Sequence, residues 1–365
     1  MEKIFIFYGP NREFNKYIPE KYYLLNTLVE MSDLQKNSRL LLDVSLNQVV
    51  GFSMSYSGIT EGGIQNFVAL LNEKRNGVKE LYLQNPPDCI RDELCRHYPK
   101  DILKIEYYNY PIINKKKLIR FVQSFDNAII GQERVKKKIA AALYELYKQR
   151  NKNKPVVLMF YGPSGVGKTE TAKFIGELLG GKICRFQLSM YQTGDFYEYL
   201  YGSEHNKGSF AKELLEREGN VILLDEFDKA HPGIWSAFYQ FFDEGVYKDR
   251  NYSINLNNSI VICTSNESSP DIVRQKIGDP LFFRFNDYIG FDKLSNEAKL
   301  QICSNIFEKE YAVLDKAEKK IISHDIFLNR YLQVSGKLEN YRQIQNIIRN
   351  DISNELVKSI FLQKE

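Results

Sequence analysis

The stretch PVVLMFYGPSGVGKTET, from Pro155 to Thr171, decides the fold of this 365-residue chain. Its apolar run, Val156 to Phe160, is typical of a buried parallel strand, and the turn at Gly162-Pro163 ends that run. A helical pattern of apolar and small residues follows, formed by Thr171, Ala172, Phe174, Ile175, Leu178 and Leu179. A strand, a glycine-rich turn and a helix in this order are the context that a phosphate-binding loop requires.

The turn carries the pattern G-x-x-x-x-G-K-T. Its glycines allow backbone N–H groups and the positive end of the following helix to face phosphates. Lys168 is expected to reach the β- and γ-phosphates, and the hydroxyl of Thr169 is expected to bind Mg²⁺. We favour nucleotide binding over a glycine turn in another kind of sheet protein. The predicted cofactors are ATP and Mg²⁺, and the predicted binding residues of the loop are Gly162, Pro163, Ser164, Gly165, Val166, Gly167, Lys168, Thr169 and Glu170.

Two carboxylates, Asp225 and Glu226, follow a second apolar run at Val221 to Leu224. Open α/β sheets bind their ligands at the carboxyl ends of parallel strands. Downstream of a phosphate loop, Asp225 is predicted to bind Mg²⁺ directly or through water, and Glu226 is predicted to be the general base. A third strand, Ile260 to Thr264, ends near Asn266, whose amide can hydrogen-bond the γ-phosphate or the attacking water.

The composition is that of a globular protein, with 43% hydrophobic and 26% charged residues. Lys and Arg (50) nearly balance Asp and Glu (46), so no overall field favours nucleic acid or an anionic membrane, although local patches stay open. The chain shows no signal peptide and no long apolar run, which predicts a cytoplasmic protein without a membrane partner.

The five cysteines are odd in number and scattered, which predicts buried free thiols in a reducing compartment. Cys89, Cys95 and His97 come nearest to a metal-binding pattern, but no fourth ligand follows at a suitable spacing. The cysteines are Cys89, Cys95, Cys184, Cys263 and Cys303.

Residues 1–120 carry no catalytic motif. Strands at Ile4 to Tyr8, Leu81 to Leu83 and Ile102 to Ile113, with a helix at Asp88 to His97, predict a small α/β domain. We expect this domain to recognise a partner or substrate whose identity the sequence does not reveal.

The tetrapeptide FYGP occurs at Phe7–Pro10 and again at Phe160–Pro163. The repeat raises the hypothesis of a second, decayed nucleotide site. Because no Gly-Lys-Thr follows Pro10, a strand that ends at a turn is the favoured interpretation.

The segment before the phosphate loop begins with a basic run, Lys115 to Lys117. A solvated linker is favoured there over a contact with nucleic acid or an acidic partner. Asp126 or Asn127 is then expected to cap a helix, whose apolar face is formed by Val135, Ile139, Leu143 and Leu146.

Residues from about 125 to 362 resemble the C-terminal AAA+ module of the Clp ATPases, which are protein unfoldases and disaggregases. The run Lys229-Ala230-His231-Pro232 after the two carboxylates is characteristic of that branch. The resemblance implies an ATPase with a large α/β subdomain and a helical lid. It also implies that Ile130, Gly131 and Gln132 contact the adenine, and that Asn266 holds the sensor-1 position.

Two arginines acquire roles from the same resemblance. Arg284, in DPLFFRFNDYIGF, matches the arginine finger that stabilises the phosphoryl group of a neighbouring subunit. Arg342, in Asn340-Tyr341-Arg342, falls on the sensor-2 position of the lid. A finger that acts on a neighbour implies a homo-oligomer, expected as a hexameric ring or an open spiral.

The lid is also predicted from periodicity, because the apolar residues near the end of the chain fall on one helical face. These residues are Ile344, Ile347, Ile348, Ile352, Leu356 and Ile360, and the preceding segment from Ala317 to Leu332 is also predicted helical.

One departure concerns the substrate-gripping loop of the Clp unfoldases, which carries an aromatic residue between two glycines. Here only Ser203, Glu204, His205, Asn206 and Lys207 lie between Gly202 and Gly208. The aromatic residues just before this loop are either substitutes that grip substrate or packing residues. They are Phe196, Tyr197, Tyr199 and Tyr201.

We therefore predict an α/β fold of the AAA+ P-loop NTPase type, with a parallel sheet between helices, a C-terminal helical lid and a small α/β domain in front. The predicted boundaries are 1–120, 121–292 and 293–365. The favoured function is ATP-driven remodelling or unfolding of a protein substrate. An ATP-driven switch that organises a partner complex is the alternative, and a DNA motor or loader is less favoured.

Overall fold

The computed structural model describes residues 1–38, 46–72, 77–148, 154–190, 195–205 and 207–362. Two parallel five-stranded sheets organise the chain, and a helical part follows them. The strands are β1 (Lys3–Tyr8), β2 (Tyr23–Leu24), β3 (Gln48–Gly51), β4 (Glu80–Gln84), β5 (Leu103–Tyr107), β6 (Val156–Tyr161), β7 (Cys184–Gln187), β8 (Val221–Asp225), β9 (Val246–Lys248), β10 (Ser253–Asn255), β11 (Ile260–Thr264) and β12 (Asp287–Gly290).

Helices cover both sheets and form the C-terminal part. They are α1 (Asn11–Phe14), α2 (Leu25–Ser38), α3 (Glu61–Gln65), α4 (Phe67–Asn72), α5 (Asp88–His97), α6 (Lys115–Ala128), α7 (Glu133–Tyr147), α8 (Lys168–Leu179), α9 (Asp195–Tyr201), α10 (Phe210–Leu215), α11 (Tyr239–Glu244), α12 (Pro270–Phe282), α13 (Asn296–Ala312), α14 (Glu318–Ile321), α15 (His324–Val334) and α16 (Tyr341–Leu362). Short 3₁₀ helices occur at Ser55–Gly58, Leu188–Met190, Phe227–Lys229, Pro232–Phe238 and Ser335–Lys337.

The first sheet has the order β2-β3-β4-β1-β5, and all neighbouring strands in it are parallel. The second sheet has the order β12-β6-β11-β8-β7, again with parallel neighbours, while β9 and β10 form a separate antiparallel pair. Strands β8 and β11 are buried over their whole length, as expected of central strands covered by helices on both faces. The predicted α/β class with a parallel sheet and a helical C-terminal part is confirmed.

The central strands of the second sheet end at the same edge. Because β6, β11 and β8 are adjacent and parallel, the residues that follow each of them lie side by side. This edge carries the phosphate loop after β6, the two carboxylates at the end of β8, and Asn266 beyond β11.

The segment between the two sheets differs from the prediction. Strand β5 ends at Tyr107, not Ile113, because its partner β1 ends at Tyr8 and turns away at Gly9-Pro10. The predicted linker at Lys115–Lys117 is the first turn of α6, where the side chain of Asn114 accepts a hydrogen bond from the backbone N–H of Lys117 at 2.9 Å.

Helix α6 crosses the predicted domain boundary at residue 120. Its buried residues Phe121 and Phe125 belong to the apolar core beneath the second sheet. The predicted cap at Asp126 or Asn127 is wrong, since both residues lie in the last turn of α6 and α7 begins only at Glu133. The predicted face of α7 (Val135, Ile139, Leu143 and Leu146) is buried.

The lid has its own core, formed by α13, α15 and α16. On α16 the buried residues are Ile344, Ile348 and Ile352, which lie four residues apart on one line of the helix. Ile347 and Ile360 are exposed, so the predicted apolar face is narrower than the sequence pattern indicated.

The prediction of buried thiols is wrong for Cys89 and Cys95, which are exposed. Both lie on α5, whose inward face is formed instead by Ile90 and Leu94. Within the described residues, no cluster of three or more His, Cys, Asp or Glu side chains is arranged to hold a metal ion. In the same part of the chain, every helix is too short or too polar to cross a bilayer.

Candidate active site

The phosphate loop joins β6 to α8, and its glycines have positive φ angles: +133° at Gly162, +76° at Gly165 and +106° at Gly167. A Cβ atom on Gly162 would lie 2.4 Å from the carbonyl oxygen of Phe291. A Cβ atom on Gly165 would lie 2.9 Å from the Cβ of Asn340 in the lid. The loop therefore needs glycine both for its conformation and for its close packing against β12 and the lid.

Lys168 is the first residue of α8 and is buried, with 7% of its surface exposed. Its ammonium group donates hydrogen bonds to the carbonyl oxygens of Gly162 and Pro163 and, at 3.1 Å, to Oδ1 of Asn266. Burial lowers the pKa of Lys168 to about 8, although the carboxylate of Asp225 acts in the opposite direction. The amine is thus held inside the loop, next to the end of β11.

Asp225 ends β8 and is also buried. Its Oδ1 atom accepts a hydrogen bond from the hydroxyl of Thr264, and its Oδ2 atom accepts one from Nη2 of Arg185 at 2.6 Å. Oxygen ligands of this kind are those that Mg²⁺ prefers in proteins.

Glu226 adopts a left-handed conformation, with φ at +53°. Its backbone N–H donates to the hydroxyl of Thr264 at 2.9 Å, which fixes the turn after β8. The carboxylate accepts hydrogen bonds from Lys229 at 2.8 Å and from Gln187 at 3.0 Å. The bond from Lys229 is the main cause that lowers the pKa of Glu226, so this side chain is held as a carboxylate, the form that a general base requires.

Lys168, Asp225 and Glu226 line one cavity of about 590 Å³ between the second sheet and the lid. The size is within the range of small-ligand sites. Its lining includes Ser164, Gly165, Val166, Gly167, Lys168, Thr169, Glu170, Asp225, Glu226, Asn266 and Arg342, together with an apolar wall of Ile129, Ile130, Leu294, Ile302 and Ile306. A polar end beside an apolar wall suits a ligand that carries both phosphates and a flat ring.

Four predicted binding residues do not line this cavity, and two of them, Gly131 and Gln132, belong to the predicted adenine contact. The amide of Gln132 instead donates to the carbonyl oxygens of Val166 at 3.3 Å and Asp292 at 2.9 Å, so it braces the phosphate loop from behind. Gly162 and Pro163 lie in the loop but offer their carbonyl oxygens to Lys168.

The two predicted arginines lie in different places. Arg342 is the second residue of α16 and lines the cavity. Arg284 lies outside it: its Nε donates to Asp243 at 2.8 Å, and its guanidinium group lies 4.4 Å from the ring centre of Tyr239. The structure therefore does not bring Arg284 to the cavity of its own chain.

Known proteins resemble the part of the chain that builds this cavity. The family model described as AAA domain (Cdc48 subfamily) matches residues 153–329. The chaperone protein ClpB of Malacoplasma penetrans (strain HF-2) is 29% identical over 67% of this chain, and a homolog of the ATP-dependent Clp protease ATP-binding subunit ClpA from Cyanidium caldarium is 26% identical over 80%. The chain contains a Clp-type AAA+ ATPase module. The matched regions make up 38% and 33% of these two relatives, so the chain spans less than two fifths of their length.

A solved structure shares the fold of nearly the whole chain. It is a closed-state cryo-EM reconstruction of Hsp104 with ATPyS and FITC casein, with a TM-score of 0.55 and 15% identity. The match covers 99% of this chain and 88% of that one. The likeness therefore extends beyond the Clp-type module to the N-terminal residues.

Among the polar residues that line the cavity, sequence reasoning missed three that lie beside the carboxylates: Arg185, Gln187 and Thr264. They lie on β7 and at the end of β11, beside the two carboxylates. A survey of every polar residue near the carboxyl ends of the parallel strands would have found Gln187 and Thr264. No local sequence pattern marks Arg185 as a site residue, and only the pairing of β7 with β8 brings Arg185 to Asp225.

The aromatic residues on α9 of the Clp-type module divide into two pairs. Phe196 is buried, and Tyr199 stacks on it and donates to Glu213 at 2.7 Å, so these two are packing residues. Tyr197 and Tyr201 are each 39% exposed and stack on each other with ring centres 6.2 Å apart. Asn206, one of the five residues between Gly202 and Gly208, lies outside the described residues.

Proposed function

We propose that the Clp-type module hydrolyses ATP with the help of Mg²⁺. The observation that carries the proposal is the meeting of Lys168, Asp225, Glu226 and Asn266 in one cavity at the ends of three neighbouring strands. Fold alone does not establish an activity, but this set of groups in this arrangement is what phosphoryl transfer to water requires.

The residues present fit a magnesium nucleotide. Because Gly162 lies close to Phe291, the loop has no room for a side chain at that position. Lys168 supplies positive charge for the phosphates. Thr169 and Asp225 are the oxygen donors that would hold Mg²⁺, which when bound neutralises phosphate charge and orients the triphosphate.

The chain's own groups divide the remaining work. The Glu226 carboxylate takes a proton from the attacking water, and the Asn266 amide orients that water. Arg342 stabilises the transferring phosphoryl group from the lid. Ile130 and the apolar wall around it hold the base.

We further propose that Arg284 acts on the nucleotide of a neighbouring subunit in a hexameric ring or an open spiral. Its guanidinium group is fixed by Asp243 and Tyr239, away from the cavity of its own chain, which supports a role across an interface. An arginine in this role increases the rate by roughly 10³- to 10⁵-fold in related phosphoryl-transfer enzymes.

The first experiment compares ATP hydrolysis and particle size for the wild type and Glu226→Gln. The variant keeps the shape of the side chain but removes the base, so we expect turnover to fall by about 10²- to 10⁴-fold while ATP binding is retained. We also expect the variant to accumulate as a larger assembly in ATP. Equal turnover in both proteins would refute the assignment of Glu226, and no turnover in either would refute the ATPase proposal for the isolated chain.

The second experiment mixes two inactive proteins, Glu226→Gln and Arg284→Ala. If Arg284 acts across an interface, mixed assemblies contain interfaces with one intact glutamate and one intact arginine, and activity returns. Arg274→Ala is the matched control, since Arg274 is also an ion-paired arginine and lies on α12, ten residues before Arg284. Failure of the mixture to regain activity, with both proteins shown to assemble together, would contradict the role in trans.

We favour a protein as the target on which the ATPase cycle acts, because the relatives are named as a chaperone and as a Clp protease subunit. The second candidate is a switch that organises a partner complex without threading it. The absence of an aromatic residue between Gly202 and Gly208 favours this alternative, whereas the exposed pair Tyr197 and Tyr201 offers another grip. Acceleration of ATP hydrolysis by casein, lost in Tyr197→Ala/Tyr201→Ala, would support remodelling, and indifference to casein would support the switch.

DNA remains the least favoured partner because the formal net charge of the chain is only +4. A cytoplasmic location, expected from the free cysteines, belongs to the same proposal.

A further inference from the structure

The N-terminal sheet repeats the topology of the ATPase sheet. When the strands of each sheet are numbered from their own first strand, both have the order 2-3-4-1-5 with parallel neighbours throughout. In both sheets the first strand is an interior strand between the fourth and fifth strands, and it runs into the tetrapeptide Phe-Tyr-Gly-Pro, at Phe7–Pro10 and at Phe160–Pro163. The two tetrapeptides therefore occupy the same place in two similar sheets.

Backbone hydrogen bonds around the two tetrapeptides correspond one to one. After the fifth strand, the N–H of Tyr108 donates to Tyr8 at 2.8 Å, and the N–H of Phe291 donates to Tyr161 at 2.8 Å. After the fourth strand, Asn85 donates to Phe7 at 2.8 Å in the first sheet. The equivalent bond in the second sheet joins Ser265 to Phe160 at 2.9 Å.

The glycines correspond as well. A Cβ atom on Gly9 would lie 2.5 Å from Tyr108, just as one on Gly162 would lie 2.4 Å from Phe291. The first FYGP is a strand that ends at a turn, as the sequence predicted, and it is also structurally equivalent to the second.

The catalytic groups are missing from the first sheet. The strand register places Phe52 and Ser53 where the ATPase sheet has Asp225 and Glu226, and it places Gln84 at the position of Thr264. The supporting contact survives: the N–H of Ser53 donates to Oε1 of Gln84 at 3.3 Å, as the N–H of Glu226 does to Thr264.

A carboxylate from the ATPase domain fills the corresponding edge of the first sheet. Glu216, directly after α10, accepts hydrogen bonds at one oxygen from the Ser53 hydroxyl, from Gln84 at 2.7 Å and from Asn85 at 2.9 Å. Its other oxygen accepts one from the backbone N–H of Asn11 at 3.0 Å. Asn85 and Gln84 are themselves buried and are oriented by further bonds to Gly9.

Further contacts hold the same two domains together around this carboxylate. The guanidinium group of Arg217 is buried and lies 3.7 Å from the ring centre of Tyr110. The backbone N–H of Asp88 donates to the carbonyl oxygen of Asn251 at 2.8 Å. The edge of the first sheet where an α/β domain ordinarily binds a ligand is thus an interface within the chain.

We propose that the N-terminal domain is a second copy of the nucleotide-binding α/β fold that has lost its chemistry, and that its former ligand edge is a carboxylate-binding site for Glu216. The site fixes the N-terminal domain to the ATPase domain through a charge-assisted hydrogen-bond cluster. A partner of the N-terminal domain must then bind elsewhere on it. This contact between the two domains does not require ATP turnover.

Nucleotide stoichiometry is the first test. Titration of Glu226→Gln with ATP and Mg²⁺ in a calorimeter is expected to give one site per chain, and Lys168→Ala is expected to give none. Two sites per chain, or binding retained in Lys168→Ala, would overturn the proposal because the first sheet would then hold a nucleotide.

Hydrogen exchange in the absence of nucleotide is the second test. In Glu216→Gln, the amides around Asn11 and Ser53 are expected to exchange faster by roughly tenfold or more, since a charge-assisted acceptor is lost. Glu218→Gln is the matched control, two residues further along the chain, and should leave these amides unchanged.

A swapped pair tests the contact itself. Gln84→Glu alone places a second carboxylate against Glu216 and should also increase exchange. The double variant Gln84→Glu/Glu216→Gln restores one donor and one acceptor, so protection should return toward the wild type. Unchanged exchange in Glu216→Gln, or a double variant no better than the sum of the single ones, would refute the site. If Glu216→Gln does not fold, Ser53→Ala removes only one donor and carries the same expectation.

Discussion

Replacement of Gly162 by alanine tests the description of the phosphate loop directly. The residue has a φ angle of +133°, and an added Cβ atom would lie 2.4 Å from the carbonyl oxygen of Phe291. That oxygen has little freedom to move, because the backbone N–H of Phe291 is bonded to Tyr161. The collision must therefore move either the loop or the end of β12.

Gly180 provides the matched control, since it also has a positive φ angle, +94°, and an added Cβ atom there meets nothing within 4 Å. Gly180→Ala should lower the free energy of unfolding by about 1–2 kcal/mol, the usual strain of a left-handed residue. Gly162→Ala adds a collision with backbone, for which overpacking typically costs about 1–3 kcal/mol more. The difference between the two variants isolates the collision.

Urea unfolding followed by fluorescence is the assay, because the single tryptophan, Trp235, is buried in the ATPase domain. Affinity for a fluorescent ADP is measured in parallel and should fall by about tenfold or more in Gly162→Ala, which corresponds to about 1.4 kcal/mol. Gly180→Ala should bind normally. If the two variants unfold alike and both bind ADP as the wild type does, the loop is not held against Phe291 as described.

Two further predictions concern the lid and the thiols. Hydrogen bonds from His324 to Asp325 and Glu308 raise its pKa, so its stabilising effect is complete below the unfolded value of about 6.5 and is lost as the pH rises through the folded value. The melting temperature of His324→Gln should therefore differ from that of the wild type more at pH 5.5 than at pH 8.5, by a small amount for an exposed group, and a constant difference would contradict this. Ellman's reagent should label Cys95 first and Cys89 more slowly, because partial burial raises the pKa of Cys89. If the buried Cys263 or Cys303 reacted as fast as Cys95, the described packing would be wrong.

Much of the catalytic edge was predictable because it depends on local patterns. An apolar run that ends in glycines or carboxylates indicates both a buried strand and the edge at which its polar residues lie. Lys168, Asp225, Glu226 and Asn266 were placed in this way, and the structure brings all four to one cavity. Their individual roles stay predictions until the variants are measured.

The departures from prediction have a common origin in contacts between distant residues. Gln132 was expected to contact the adenine, which stays a prediction, and its amide bonds Asp292, 160 positions away, and braces the loop. Cys89 and Cys95 were expected to be buried but are exposed, because they lie away from the buried face of α5. Packing against the first sheet decides which face of that helix is buried. Periodicity gives the spacing of a helical face but not its width, as Ile347 and Ile360 show.

The sequence by itself determined the strand, loop and helix around Lys168 and the carboxylates after β8, because hydrogen bonding and apolar periodicity within short segments specify them. Only the tertiary structure decided that the FYGP of Phe7–Pro10 ends an interior strand of a second sheet of the same order. Only it decided that Glu216 enters that sheet, since Glu216 meets Asn85 across 131 positions and Asn11 across 205. Such pairs leave no periodic signal in one sequence, because burial and donor geometry at the assembled edge select them.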